Sequence, residues 1–376
     1  TDMETKEQLN DLRQQIDDLD ERIVSLFVER MAVSKKAAAL KTRNNLAITD
    51  PAREQQIADR SASLAGETLK GEATLLMRTV MALSRGYQRK LLFGGEAPLL
   101  PPARKAAPEN IAGAFQGVPG AWSEEALAKM FPEASRQPEE GFEDVFLAVK
   151  EGRVDYGVVP IENSKTGAIG ETYDLLRKYG CFIVGQIWVD IRHCLMAPEG
   201  VSISDIREVL SHPEGFKQCR DFLRGRAWDL TSCRNTALAA QMAARAGNGR
   251  TAAIGSRRAA QLHGLTILEA DIMDAATNRT SFVAIALAPE YDDRSNVVSV
   301  TFSTAHRSGA LCETLLPFMA QGINLMRIES RPAALGNYRF FVDMEGNIAD
   351  AHLSAALRQA ASACEYFEVI GCYRNG

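Results

Sequence analysis

No apolar run in this sequence is long enough to cross a bilayer, and no secretory signal opens it, so neither a membrane nor an export role is expected. It has no excess of basic residues. The formal net charge of −5 over 376 residues argues against nucleic acid as the main partner. No C-x-x-C pair occurs among its seven cysteines (181, 194, 219, 233, 312, 364 and 372). That odd, scattered set suits neither a disulfide framework nor a zinc site and reads as buried thiols of a cytoplasmic protein. Nothing in the residue pattern calls for a metal or another cofactor. What is present is ordinary for a globular chain, with 46% apolar and 24% charged residues. The length suits two or three domains.

Three segments and two linkers follow from periodicity. Residues 1–91 read as helical. Leu9, Leu12, Ile16, Leu19, Ile23 and Leu26 recur at alternating three- and four-residue steps, a seam for packing against a partner helix. Asn44-Asn45 breaks it. Asp50-Pro51 opens a second helix as N-cap and first helical residue, and a third is expected from about Gly71 to Lys90. Residues 92–110 are rich in Pro, Gly and Ala and read as a linker. From 111 to 289 short apolar strands such as Cys181–Val184, Thr251–Ile254 and Phe282–Ile285 alternate with helical patterns near Glu124–Met130, Thr172–Lys178, Glu214–Leu223 and Ala237–Ala246, an α/β arrangement. After a charged linker at 290–296, residues 297–376 read β-α-β-β-α-β, the split βαβ order of a ferredoxin-like module.

Within the middle segment, Gly157-Val-Val-Pro-Ile-Glu-Asn-Ser164 runs on through Gly167 and Gly170 to Thr172. An apolar run gives way to a carboxylate, an amide, a hydroxyl and two glycines. A buried strand delivers its C-terminal end to a ligand cleft in this way, although an ordinary strand-to-helix loop has the same composition.

In the helical segment, cations stand where core residues are expected. The step after Leu26 is Arg30, and Lys41 lies on nearly the same face. A cation on a seam is costly unless an anion meets it. Arg53 and Glu54 open the second helix, whose N-terminus favours anions. Ser84 and Gln88 share a face of the third, and Arg13 points about a quarter turn away from Arg30. The plainer reading is a set of solvated charges on an amphipathic bundle.

Taken in order and at this spacing, Arg13, Arg30, Lys41, Asp50, Arg53, Glu54, Ser84 and Gln88 resemble the all-helical chorismate mutase class. The resemblance implies an intertwined dimer, or a higher homo-oligomer, in which Arg13 completes the other subunit's site. It also implies roles. Arg13, Arg30 and Arg53 bind the carboxylates of chorismate, Lys41 and Gln88 donate to the ether oxygen, Glu54 with Asp50 accepts from the ring hydroxyl, and Ser84 adds a carboxylate contact. The rearrangement to prephenate is pericyclic, so it needs a held geometry and stabilised charge rather than a nucleophile.

The Gly157–Thr172 stretch, with Ala114-Phe-Gln-Gly117, Gly120-Ala-Trp-Ser123, Leu210-Ser-His-Pro213, Gln218-Cys219, Asn235–Ala240, Ala252–Ser256 and Asn278-Arg-Thr-Ser-Phe282, resembles prephenate dehydratases. The implied fold is two α/β lobes like a periplasmic binding protein, with prephenate in the cleft. The implied roles are Thr280 at the leaving hydroxyl and Phe282 as a packing wall. Asn163, Thr172, Ser211, Gln218 and Thr236 are implied as polar anchors, and Glu162 as a residue that orients Asn163. His212 beside Pro213 reads as a turn residue. Two positions depart from the family: Ser281 stands where an arginine is usual, and Ala121 where a threonine is usual. The alternative to a full dehydratase is therefore an impaired domain, or a non-catalytic one that senses prephenate or an amino acid.

In the last segment Ser308-Gly-Ala-Leu311, Gly322-Ile-Asn324 and Ile328-Glu-Ser-Arg-Pro332 resemble the ACT domain of the same bifunctional family. The resemblance implies a phenylalanine effector site at Gly309, Ala310, Leu311, Asn324, Glu329 and Ser330 that lowers activity. Topology alone is equally met by a dimerisation module.

Overall fold

The structure, a computed structural model, describes the chain apart from residues 1, 45, 47–49, 94–97, 105–109, 276 and 334–337, and apart from the side chains of 2, 4 and 89–93. Asn45 and much of the expected linker 92–110 therefore lie outside the described residues. The first elements are α1 (Asp2–Arg43) and α2 (Pro51–Phe93). Next come β1 (Ala112–Gln116), α3 (Trp122–Met130), β2 (Ser135–Glu139), α4 (Phe142–Lys150), β3 (Tyr156–Asn163), β4 (Gly167–Ala168), α5 (Gly170–Tyr179) and β5 (Phe182–Asp190). A further run holds β6 (Cys194–Ala197), β7 (Glu208–Ser211), α6 (Pro213–Gln218), α7 (Arg220–Leu223), β8 (Asp229–Ser232), α8 (Thr236–Ala246), β9 (Thr251–Gly255), α9 (Arg257–His263) and β10 (Thr266–Glu269). The chain closes with β11 (Arg279–Ala286), β12 (Val297–Ser303), α10 (Ala310–Ala320), β13 (Leu325–Pro332), β14 (Tyr338–Glu345), α11 (Ala351–Ala361) and β15 (Tyr366–Tyr373).

Two compact units result. One comprises Thr1–Pro98, Thr304–Gly322 and Ala355–Tyr366; the other comprises Leu99–Ser303, Ile323–Ser354 and Phe367–Gly376. The division runs across the last expected segment, since α10 and much of α11 group with the N-terminal helices.

In the first unit Asp50 caps α2: its Oδ1 accepts from the Arg53 N–H at 3.0 Å, and Pro51 fills the first helical position. The expected third helix begins earlier than Gly71. Gly66 has φ 71° and ψ 177° and reverses the chain within α2. A straight helix would separate Glu54 from Arg85 by about 45 Å, yet their side chains meet at 2.6 Å. Only glycine takes that backbone conformation without penalty. Leu9, Leu12, Ile16, Leu19, Ile23 and Leu26 are 48–63% exposed, so one chain leaves its seam uncovered.

The second unit holds two sheets. The larger runs β13-β14-β12-β15-β5-β11-β3-β1-β2, with β4 on β3; the smaller runs β10-β6-β9-β7-β8. Each carries its own apolar core: Phe146, Ile161, Val283 and Ile285 in one, and Met196, Leu210, Ala240 and Ala253 in the other. The chain passes from the larger sheet to the smaller after β5 and returns before β11. These crossings pair with each other, Ile191 N–H to Asn278 O at 2.8 Å and Ile272 N–H to His193 O at 3.0 Å. Asp271, with φ 55°, sits in the returning crossing between β10 and β11, a costly conformation for a non-glycine residue.

Pro160 lies inside β3, where a proline cannot donate to the ladder. The register against β11 shifts there, with Ser281 opposite Glu162 and Phe282 opposite Pro160. The bulge absorbs the missing donor. The expected Glu214–Leu223 helix is two, α6 and α7, broken at Cys219. The connectors are not free chain: Leu100 is buried, the Arg104 N–H donates to Pro289 O, and Glu290 accepts from Tyr156 Oη at 3.0 Å. Five cysteines are buried as expected, but Cys364 is half-buried and Cys312 exposed. Burial pushes Cys181 up to about 11 and Cys219 up to about 12, which keeps both as thiols at neutral pH. Among the described residues no helix is long and apolar enough to cross a membrane.

Candidate active sites

The polar end of β3 meets the first residues of β11. Asn163 pairs in register with Thr280, and its Nδ2 donates to Thr280 Oγ1 at 2.9 Å and to Asn278 Oδ1 at 2.9 Å. Its Oδ1 accepts from the Lys165 and Thr166 N–H groups at 2.9 and 3.1 Å, which fixes the amide's orientation. Asn278 Nδ2 in turn donates to Gln218 Oε1 at 2.8 Å, and the same oxygen receives His193 Nε2 at 3.0 Å. A continuous chain of side chains thus runs from α6 beside the smaller sheet to Thr280 on the larger. Thr280 is 8% exposed. Its hydroxyl oxygen accepts from Asn163, so its own proton is available for donation.

His193 and Asn278 carry this chain, and neither stood out as a site residue in the sequence. His193 is 2% exposed, and burial lowers its basicity below the ordinary imidazole value. With Nε2 donating to Gln218, Nδ1 is the bare nitrogen, and it is buried without a partner. The Trp122 ring meets His193 edge-on at 6.1 Å, and Trp122 Nε1 is likewise buried and unpartnered.

Other expected anchors lie nearby but are already engaged. Thr172 is fully buried and its Oγ1 donates to Pro160 O at 2.6 Å, tying α5 back to β3. Ser211 is fully buried and donates to Ile254 O at 3.0 Å. Phe282 packs in an apolar cluster with Phe115, Leu127 and Val158. Thr236 opens α8 under the cap supplied by Asn235, whose Oδ1 accepts from the Leu238 N–H at 2.7 Å. His212 is a turn residue as expected: it caps α6, and its Nδ1 accepts from the Glu214 N–H. Glu162 does not hold Asn163. It pairs with Arg327 of β13 at 3.1 Å, and Arg327 also binds Asp343. Arg331 of β13 reaches Asp174 at 2.9 Å.

The two departures from the family pattern become concrete. Adjacent residues of a strand face opposite sides. Thr280 and Phe282 share one face of β11, while Ser281 lies on the other, fully buried, where Gln186 Nε2 donates to its hydroxyl at 2.6 Å. Arg279 pairs with Asp190 at 3.1 Å. Ala121 is the N-cap of α3 and supplies no capping bond, but Glu124 accepts from the Gly120 N–H at 2.7 Å and pairs with Arg258 at 2.9 Å. That loop is held without the missing hydroxyl.

In the helical unit, Ser84 Oγ donates to Ser34 Oγ of α1 at 2.8 Å, and Gln88 Nε2 donates to Ser84 at 3.2 Å. Ser34 is one turn past Arg30, so this contact brings the Arg30 face of α1 to the Ser84 face of α2. Nη1 of Arg30 and Oε1 of Gln88 are buried without partners. Burial lowers the Arg30 guanidinium from its ordinary value. Lys41 sits in the last turn of α1. Arg13 and Arg53 are exposed and contact only near neighbours on their own helices among the described bonds, Asn10 at 3.3 Å and Gln56 at 3.2 Å. Gly309, with φ 79°, caps α10 and lies with Ala310 and Leu311 in the first unit; Asn324, Glu329 and Ser330 lie in the second.

Two family models match separate stretches of the chain. The chorismate mutase type II family model matches residues 12–89, and the prephenate dehydratase model matches 113–290. The bifunctional chorismate mutase/prephenate dehydratase of Escherichia coli K12 is 30% identical over 96% of this chain and 95% of its own length. Arogenate dehydratase/prephenate dehydratase 1 of Arabidopsis thaliana is 37% identical over 69% of this chain and 71% of its own length. The solved prephenate dehydratase of Arthrobacter aurescens in complex with L-Phe superposes with a TM-score of 0.65 at 29% identity, covering 70% of this chain and 89% of that one.

Proposed function

The chain belongs to the bifunctional chorismate mutase/prephenate dehydratase family, and from that premise we propose how its residues share the work. It rearranges chorismate to prephenate and converts prephenate to phenylpyruvate with loss of CO2 and water.

For the second reaction the carrying observation is the Gln218–Asn278–Asn163–Thr280 chain. Prephenate loses its ring carboxylate as CO2; the electron pair of that bond enters the ring, and the ring hydroxyl leaves. The departing oxygen needs a proton. Thr280 accepts from Asn163 and so presents its own O–H to that oxygen. Gln218 fixes Asn278, and Asn163, Thr172, Ser211 and Thr236 shape the pocket, mainly through the backbone they hold. Ser281 lies on the face away from Thr280, which favours a working dehydratase over an impaired or purely sensing domain.

For the first reaction, the unpartnered Nη1 of Arg30 and Oε1 of Gln88 favour a bound polar ligand, since buried polar groups rarely stay unpaired. Arg30 and Arg53 bind the carboxylates of chorismate, with Arg13 supplied by a second copy. Lys41 and Gln88 donate to the ether oxygen, Ser84 assists, and Glu54 with Asp50 receives the ring hydroxyl. The exposed seam of α1 supports at least a homodimer.

The C-terminal β-α-β-β-α-β segment is an ACT-like module that takes phenylalanine at Gly309–Leu311, Asn324, Glu329 and Ser330 and lowers turnover. The Arg327–Glu162 and Arg331–Asp174 pairs connect β13 to β3 and to α5. The test is a time course from chorismate. Prephenate should appear and pass to phenylpyruvate, and added phenylalanine should slow it. Prephenate that accumulates unchanged would refute the dehydratase reading.

A further inference from the structure

Arg85 directly follows Ser84 and projects about 100° round the helix from it. It is 9% exposed. Its Nη1 binds Glu54 Oε1 at 2.6 Å, and its Nη2 binds Glu313 Oε2 on α10 at 2.7 Å. Glu313 is also gripped by Arg307, at 3.0 Å to Oε1 and 2.6 Å to Oε2. Burial works to raise the Glu313 carboxyl, but the Arg307 bond and the two guanidinium charges outweigh it and hold the group below its ordinary value. Four alternating charges therefore run Glu54–Arg85–Glu313–Arg307, from the N-terminal half of α2 to a helix more than two hundred residues later in the chain.

We propose that Arg85 is a positioning residue for the chorismate rearrangement, holding Glu54 for the substrate hydroxyl, and that Glu313 of α10 anchors it from the C-terminal segment. The inference rests on the assignment of Glu54 to that site. Glu54 stands at the start of α2, and the chain must reverse at Gly66 before Arg85 can reach it. The fork of Arg85 fits both carboxylates at once, one nitrogen to each, which a lysine ammonium cannot reproduce. Arg85 engages Oε1 of Glu54 and leaves Oε2 as the acceptor for the ring hydroxyl. Without the cation, Glu54 and Glu313 would face each other as like charges, and Glu54 would swing from its place.

The test uses the full chain and follows both reactions. Arg85→Gln should lower kcat for prephenate formation about 10- to 100-fold with the KM for chorismate changed by less than about threefold, the signature of a misplaced catalytic group rather than of lost binding. Arg85→Lys should recover part of that loss, and Glu313→Gln should lower kcat about 3- to 10-fold. Phenylpyruvate formation from supplied prephenate should be unchanged in all three, which reports that the chain is folded. Glu54→Gln is the reference. If it abolishes prephenate formation while Arg85→Gln and Glu313→Gln leave kcat intact, the positioning role is overturned and the site assignment stands. If Glu54→Gln is itself fully active, the assignment falls and the inference with it. Should Arg85→Gln lose both reactions together, Glu313→Gln decides: unchanged prephenate formation overturns the proposal, and a selective drop upholds it.

Discussion

The dehydratase cleft and the helical bundle solve the same problem, holding a dianionic ring, in opposite ways. In the cleft the polar side chains have already found each other. Asn163, Asn278 and His193 are buried, Gln218 is half-buried, and the four are bonded in series. In the bundle Glu54 is already paired with Arg85, but the candidate cations are spread out. Arg13 and Arg53 are exposed, a nitrogen of Arg30 is buried without a partner, and the apolar seam of α1 is bare. The first arrangement is preorganised within a single chain. The second suits the proposed homodimer, in which a second copy would cover the seam and the substrate's carboxylates would meet the cations.

The sharpest break between the two is Thr280→Ala. It should lower phenylpyruvate formation at least about 100-fold and leave prephenate formation untouched, as followed from chorismate and from prephenate separately. Equal loss of both rates would mean that the two regions are not independent. Next is Ile16→Asp, which sets an unpaired charge on the seam. It should weaken self-association by about 100-fold, read by sedimentation over a dilution series, with prephenate formation falling in parallel while supplied prephenate is still consumed. An unchanged sedimentation profile would remove association from the account of the bundle.

Ser281→Arg carries a smaller effect. A guanidinium forced into a fully buried strand position should destabilise the chain by about 1–3 kcal/mol without raising phenylpyruvate formation. A clear gain in that rate would place the position in contact with substrate after all. The smallest effect concerns pH. His193 is buried and less basic than in an unfolded chain. Between its lowered folded value and the ordinary imidazole value the unfolded state binds more protons, so stability falls as pH drops through that window, by at most about 1.4 kcal/mol per pH unit for one group. His212 is lowered by burial as well. His193→Gln should therefore flatten, but not abolish, the fall in Tm on acidification. An identical slope would mean that His193 does not carry the coupling.

Periodicity revealed much of this fold in advance. The long helix α1, the Asp50-Pro51 start of α2 and the β-α-β-β-α-β order at the C-terminus all match the structure, because each rests on local spacing, whereas the seam of α1 is left uncovered by its own chain. The reversal at Gly66 was not legible. Gly66 and Gly71 both sit in helical surroundings, and only the three-dimensional path selects which one takes a positive φ. Asn163 stood out because polar groups follow an apolar run there, and Gln218 only through the resemblance to the dehydratase family. His193 and Asn278 lie on the crossings between sheets, where no period exists to flag them. Arg85 was hidden for a different reason: beside Ser84 it reads as one more surface charge, and its partners are 31 and 228 residues away. The role given to Glu162 misled because sequence neighbours on a strand face opposite ways, which turned its carboxylate toward Arg327 rather than toward Asn163.

Where β15 meets β5, Gly371 lies opposite Ile183, and a methyl group on Gly371 would come within 2.5 Å of the Ile183 carbonyl oxygen. The final residues continue the cover, with the Gly376 N–H donating to Gln186 O at 3.0 Å and the Gln186 N–H to Arg374 O at 3.3 Å. The tail of the protein thus guards an open strand edge. A chain cut after residue 289 would bare the β5 backbone to any passing strand, so shortened versions should clump even where each remaining module is intact. Anyone seeking a minimal dehydratase from this chain would have to blunt that edge first.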